Sequence, residues 1–145
     1  HRLNSVNFRF NDIHAALGIK QLEKINEFIK RRIEIANRYE KNIKNLTFQV
    51  VPEYTTTHSH MLFFAFAKDN QMKEKYLNFL RQNGIDARLP YHPIHRQPCN
   101  SELADSHCPG ADEIFEKALT LPIYNNMTLD ECDLVIDYCN QVEEK

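Results

Sequence analysis

The sequence predicts an α+β fold in which a long N-terminal helix and further helices pack on a small, mostly antiparallel three-stranded sheet. Three observations carry this expectation. Across residues 7–44, apolar side chains recur three and four apart, at Ile13, Ala16, Leu17, Leu22, Ile25, Phe28, Ile29, Ile33, Ala36, Tyr39 and Ile43. That spacing is the mark of a helix with one buried stripe. Short runs rich in β-branched or aromatic residues at 47–51, 60–67 and 85–89 read as strands. Strands and helices do not alternate strictly, which favours helices layered on one small sheet.

The 145 residues set the scale of a single domain, 1–145, large enough for a true core. Asn11 or Asp12 suits the start of the first helix, by capping or by its charge at the dipole. Glu27 with Arg31, Glu34 with Arg38, and Glu40 with Lys44 stand four apart on the polar side. The run at 60–67 (HMLFFAFA) is too short to span a membrane and reads as a central strand buried on both faces. Asn70 is placed to cap the next helix, and Gly84 to end it in a left-handed conformation. Three prolines within residues 90–98 (PYHPIHRQP) call for an extended, ordered loop. A short helix over 111–118 and an extended piece over 120–124 follow. Thr128 and Glu131 form a capping box for a last helix with Leu129, Cys132, Val135, Ile136, Cys139 and Val142 inward.

Composition excludes some classes of function. A formal net charge of −2 argues against general nucleic-acid binding, which needs a concentrated basic surface. No apolar run approaches the roughly 20 residues that cross a bilayer as a helix. Charge is uneven: residues 20–44 carry eight Lys/Arg against four Glu, and residues 101–145 carry eleven Asp/Glu against two Lys. Two solvated faces explain this plainly, and a basic face for an acidic partner or sugar nucleotide is the sharper reading. Cys132 and Cys139 share one helical face and read as buried thiols, so a reducing cytoplasm is favoured over a disulfide framework.

Candidate chemistry concentrates in two places. Tyr91, His92, His95, Arg96 and Gln97 sit on the proline-stiffened loop, where a rigid scaffold could present them to a ligand. The plainer alternative is a surface loop whose histidines meet only water. Asn7 and Arg9 alternate with Phe8 and Phe10, so in extended backbone they project to one side, where amide and guanidinium could grip a phosphate or carboxylate. Arg9 pairing with a nearby acid is the competing reading. His92, His95, Cys99, His107 and Cys108 are chemically able to bind zinc, but their spacing lacks the paired knuckles of structural sites, and no metal is expected. No serine stands in a nucleophile elbow, and no cysteine is visibly paired with an activating histidine.

The segment NFRFNDIHAALGIKQLEKI, followed by RRIEIANRY, NGIDARLPYHPIHRQP and LTLPIYNNMT, resembles the C-terminal part of the DegT/DnrJ/EryC1/StrS sugar aminotransferases. The four motifs occur in the family's order over nearly the whole chain. The resemblance implies the small domain of a fold type I enzyme that uses pyridoxal 5'-phosphate (PLP). It also implies a cytoplasmic homodimer that moves an amino group from glutamate, or a similar donor, to a nucleotide-linked keto-sugar. The asparagine matched by Asn7 reaches the cofactor phosphate of the partner subunit in the family, and Arg9 belongs to the same motif. Tyr91, His92 and His95 match the loop near the sugar nucleotide. The family's cofactor-bearing lysine belongs to a large N-terminal domain without a counterpart in residues 1–145, so this chain alone is expected to be inactive and not to retain PLP. A free-standing module for dimerisation or sugar-nucleotide binding is the alternative. Val6 stands where a glycine is usual, and Phe8 where a tyrosine is common.

Overall fold

A computed structural model describes residues 10–142. Asn7 and Arg9 therefore lie outside the described residues. The helix expected over 7–44 is two helices, α1 (Asp12–Leu22) and α2 (Ile25–Asn42). Asn11 caps α1, its side chain accepting from the His14 N–H at 3.0 Å. At the break, the Lys24 N–H bonds to the Gln21 carbonyl, a three-residue closure that tightens the backbone and ends the regular ladder. No residue of α1 is buried, so tertiary packing does not hold the two helices in one line. Ile13, at 74 % exposure, and Leu17, at 56 %, thus leave the expected buried stripe, which begins only in α2 with Ile35, Ala36 and Tyr39.

The sheet contains β1 (Thr47–Phe48), β2 (Phe63–Phe66) and β3 (Ala118–Leu121), ordered β1-β2-β3 with both pairings antiparallel. Phe64 faces Thr120 across the central pair. The middle strand starts later than its apolar run because His60 holds a left-handed φ of 44°, which no continuing strand accommodates. It alternates buried Phe63 and Ala65 with half-buried Phe64 and Phe66, so it is covered fully on one face only. The strand expected at 85–89 does not form. The Ala87 N–H turns back onto the Ile85 carbonyl at 2.8 Å, and only Arg88 pairs with Thr120 as a single bridge beside β3.

Helices α3 (Asn70–Gln82) and α4 (Pro109–Lys117) stand between β2 and β3, and α5 (Leu129–Gln141) follows β3. Asp69, rather than Asn70, caps α3, its carboxylate accepting from the Met72 N–H. Gly84 ends the same region at φ 78°, where a side chain would strain the backbone. Thr128 and Glu131 form the expected capping box on α5. The core gathers Tyr39 from α2, Tyr76, Leu77 and Leu80 from α3, Leu119 from β3, and Cys132 and Cys139 from α5. Each fully buried large apolar side chain stabilises the fold by about 1.5–3 kcal/mol.

Long-range polar ties lock α2 onto the C-terminal part. Arg31 donates to the Met127 carbonyl from Nε (2.9 Å) and Nη2 (2.6 Å), and Asn140 bonds the end of α2 through the Asn42 carbonyl. The acid–base pairs expected four apart are rearranged. Arg31 pairs with Glu34, and Arg38 reaches across to Asp133.

Candidate functional site

The loop after Pro90 is positioned from the sheet outward. The Arg88–Thr120 bridge, with N–H···O distances of 3.1 and 2.8 Å, brings the chain to the outer side of β3. Proline at 90, 93 and 98 then restricts the backbone. The loop is extended only to Pro93. A 3-10 turn, Ile94–Arg96, follows and a second, Pro98–Leu103, succeeds it. The Gln97 side-chain amide donates to the His92 carbonyl at 3.1 Å, closing the loop on itself.

A depression of about 530 Å³ is lined by Pro90, Tyr91, His92, Arg96, Gln97 and Pro98. Tyr91 is 84 % exposed at its rim. The His92 imidazole lies against Phe115 of α4, ring centroids 4.4 Å apart and tilted by 40°. His95 behaves differently: it is seated beneath the loop, 8 % exposed, with Nε2 2.9 Å from Asp112 Oδ1. Arg96 Nε approaches the same oxygen at 2.6 Å, while its Nη1 lies 3.5 Å from Glu116. Tyr91, His92 and Arg96 thus share one concavity, and His95 supports it from within. Chemically, the depression combines a phenol, an imidazole, a guanidinium and an amide, groups that hydrogen-bond hydroxyls and phosphates.

Asp112, Phe115 and Glu116 were not among the sequence candidates. From sequence, Asp112 reads as a first-turn charge on a helix, and nothing local pairs it with a residue 17 positions away. Lys73 of α3 is another unexpected member. It is 3 % exposed, its Nζ donates to the Phe115 carbonyl at 3.1 Å, and it sits 5.3 Å from the centre of the Phe115 ring.

His58 and His60 meet at the opposite side of the sheet, beside β1, where a groove of about 720 Å³ runs past Glu40, Phe48 and Thr55. Their rings pack edge to face at 4.3 Å. Burial, followed by the neighbouring His58, holds the His60 imidazole below its ordinary pKa. Among the described residues, no group of three or more His, Cys, Asp or Glu side chains is arranged to hold a metal.

Lys73 is the one buried lysine among the described residues, and its ammonium is held by the Phe115 carbonyl and ring.

The profile of the DegT/DnrJ/EryC1/StrS aminotransferase family matches residues 1–140, and the chain belongs to that family. Its members are PLP-dependent aminotransferases, and a small antiparallel sheet covered by helices is the architecture this chain shares with fold type I sugar aminotransferases. The chain is 28% identical over 144 residues to the GDP-perosamine synthase of Escherichia coli O157:H7, covering 99% of this chain and 38% of that protein. The aminotransferase TlmJ from Streptoalloteichus hindustanus superposes with a TM-score of 0.79 at 26% identity, over 90% of this chain and 36% of that one. Spr1654 of Streptococcus pneumoniae, solved in PMP and PLP forms, has the same fold, with a TM-score of 0.80 and 23% identity, and covers 92% of this chain. The chain spans about 38% of the length of the GDP-perosamine synthase it matches. Among the described residues no helix is long and apolar enough to cross a membrane.

Proposed function

We propose that residues 1–145 form the small C-terminal domain of a cytoplasmic, homodimeric PLP enzyme that transfers an amino group from glutamate, or a similar donor, to a nucleotide-linked keto-sugar. Such a reaction belongs to amino-sugar or surface-polysaccharide biosynthesis. Tyr91 and His92 contact the sugar nucleotide, and His95 serves that contact by holding the loop. Asn7 and Arg9 reach the cofactor phosphate of the partner subunit. The large domain that carries the cofactor lysine is separate from these 145 residues, which are inactive alone.

The observation that carries this reading is the family match over residues 1–140 together with a displayed loop. Tyr91 and His92 stand over a 530 Å³ depression, on the very stretch whose sequence resembles the family's substrate loop. A free-standing sugar-nucleotide-binding module is the second reading, which the same loop over the depression equally suits.

The two readings separate in one assay. The native polypeptide carrying this sequence, given ¹⁵N-glutamate, PLP and a nucleotide-linked keto-sugar, should place ¹⁵N on the sugar. The 145-residue chain should not. Substitution of Tyr91 or His92 by alanine in the native polypeptide should raise KM for the sugar nucleotide more than it lowers kcat. Native polypeptide that binds the nucleotide sugar yet never transfers nitrogen would leave the binding-module reading standing and sink the enzymatic one.

A further inference from the structure

Loops that bind ligands need a second layer of contacts to hold their binding groups in place. Here one face of α4 supplies that layer. Asp112, Phe115 and Glu116 are three and four residues apart, so they share a helix face, and all three meet the loop: Asp112 at His95 and Arg96, Phe115 at His92, Glu116 at Arg96. The helix is itself anchored, since the buried Lys73 ammonium holds the Phe115 carbonyl and α4 runs directly into β3.

We infer that Asp112 is a positioning residue: through the bonds its Oδ1 accepts from His95 and Arg96, it sets Tyr91 and His92 over the depression. This rests on the reading of the loop as a sugar-nucleotide contact.

Three features single out Asp112 on that face. Its Oδ1 is shared by two loop residues, at 2.9 and 2.6 Å, whereas Glu116 reaches Arg96 alone at 3.5 Å. His95 is 8 % exposed, so its Nε2 has little access to water, and loss of Asp112 strands a buried polar group. The acceptor also selects the ring form, because Nε2 must carry a proton to donate to Oδ1. Finally, Pro93 and Pro98 bracket the turn, and the Arg96 N–H closes onto the Pro93 carbonyl at 3.0 Å. With φ fixed at both prolines, a displacement of His95 cannot be absorbed locally and is passed to His92 and Tyr91.

The test uses the native polypeptide carrying this sequence and reads three signals in wild type, Asp112→Ala and Asp112→Asn. The first is the ring-current shift that Phe115 imposes on the His92 imidazole protons, the second the ¹⁵N signature of the His95 tautomer, and the third the affinity for GDP-mannose and UDP-N-acetylglucosamine. Asp112→Ala should lose the His92 shift and the fixed Nε2–H form of His95. It should bind whichever probe the wild type binds about tenfold or more weakly, the penalty for binding groups moved from their productive position. Asp112→Asn keeps one acceptor oxygen and should lie between. An unchanged His92 shift in Asp112→Ala would overturn the inference. Should the alanine variant not fold, a wild-type His92 shift in Asp112→Asn would overturn it equally. A wild type that binds neither probe would count against the loop's role in substrate binding, while the His92 shift would still decide whether Asp112 sets the loop.

Discussion

The Tyr39 hydroxyl, buried in the last turn of the longest helix, donates to the Pro122 carbonyl at 2.8 Å, just past the end of the last strand. Its ring also packs on Phe63 of the central strand, centroids 5.2 Å apart. One side chain therefore fastens α2 to the sheet by both packing and a hydrogen bond. Burial pushes the phenol far above its ordinary pKa, so it stays protonated in the folded protein. Tyr39→Phe keeps the packing and removes the donor, and should cost about 1–2 kcal/mol in denaturant unfolding. Tyr39→Ala empties the ring site as well and should cost more, as for other large core truncations of about 3–5 kcal/mol.

A second tie predicts a pH dependence. Arg38 holds Asp133 in a two-point pair, Nε–Oδ1 at 2.5 Å and Nη2–Oδ2 at 2.6 Å, joining α2 to α5. The hydrogen bond from Arg38 keeps the Asp133 carboxyl below the usual carboxylate range. A carboxyl depressed in the folded state contributes stability above its unfolded pKa of about 3.9 and loses it as pH falls through the folded value. Asp133→Asn should therefore be less stable than wild type at pH 7, with the gap closing below about pH 4. Equal stability of the two proteins at pH 7 would show that the exposed pair contributes nothing.

Apolar residues on the first two helices should respond oppositely to substitution. Leu17 of α1 is exposed and Ile35 of α2 is fully buried. Leu17→Gln should change the stability of the isolated chain by no more than about 0.5 kcal/mol, and Ile35→Ala should cost about 2–5 kcal/mol. Urea titrations of both variants measure this directly. A large loss for Leu17→Gln would mean that α1 packs on the core after all.

The four cysteines should divide into two pairs by reactivity. Burial pushes the Cys139 thiol up to about 12 and Cys132 up to about 11, while Cys99 and Cys108 are half-buried and unbridged. Because the thiolate is the nucleophile, a thiol reagent at pH 8 should label Cys99 and Cys108 first. Cys132 and Cys139 should react only as the protein unfolds, which mass mapping of labelled peptides against denaturant would resolve.

Periodicity made α2, α3 and α5 readable because their stripes face the core that they build, as Tyr39, Leu77 and Cys139 show. The same rule misplaced α1. A stripe reports that apolar residues recur, not that anything covers them, and the turn at Lys24 is set by one backbone bond with no proline or glycine to mark it. The first two strands were legible as apolar runs but not in their limits, the second being shortened by the left-handed His60. The run at 85–89 is instead the Ile85–Ala87 bend, and the third strand is Ala118–Leu121, where the sequence marks only an extended piece over 120–124. In the site, the prolines announced a stiff loop around Tyr91 and His92. The inward turn of His95 was hidden, because its partner Asp112 belongs to a helix brought near only by the fold.

The most direct test of the account is a ¹H–¹⁵N and ¹H–¹³C NMR titration of the native polypeptide carrying this sequence with GDP-mannose and UDP-N-acetylglucosamine. If the loop is a sugar-nucleotide contact, perturbations should concentrate at Tyr91, His92 and Arg96 around the depression and disappear in Tyr91→Ala/His92→Ala. Perturbations confined to the His58–His60 groove on the other side of the sheet, or none at all, would contradict it.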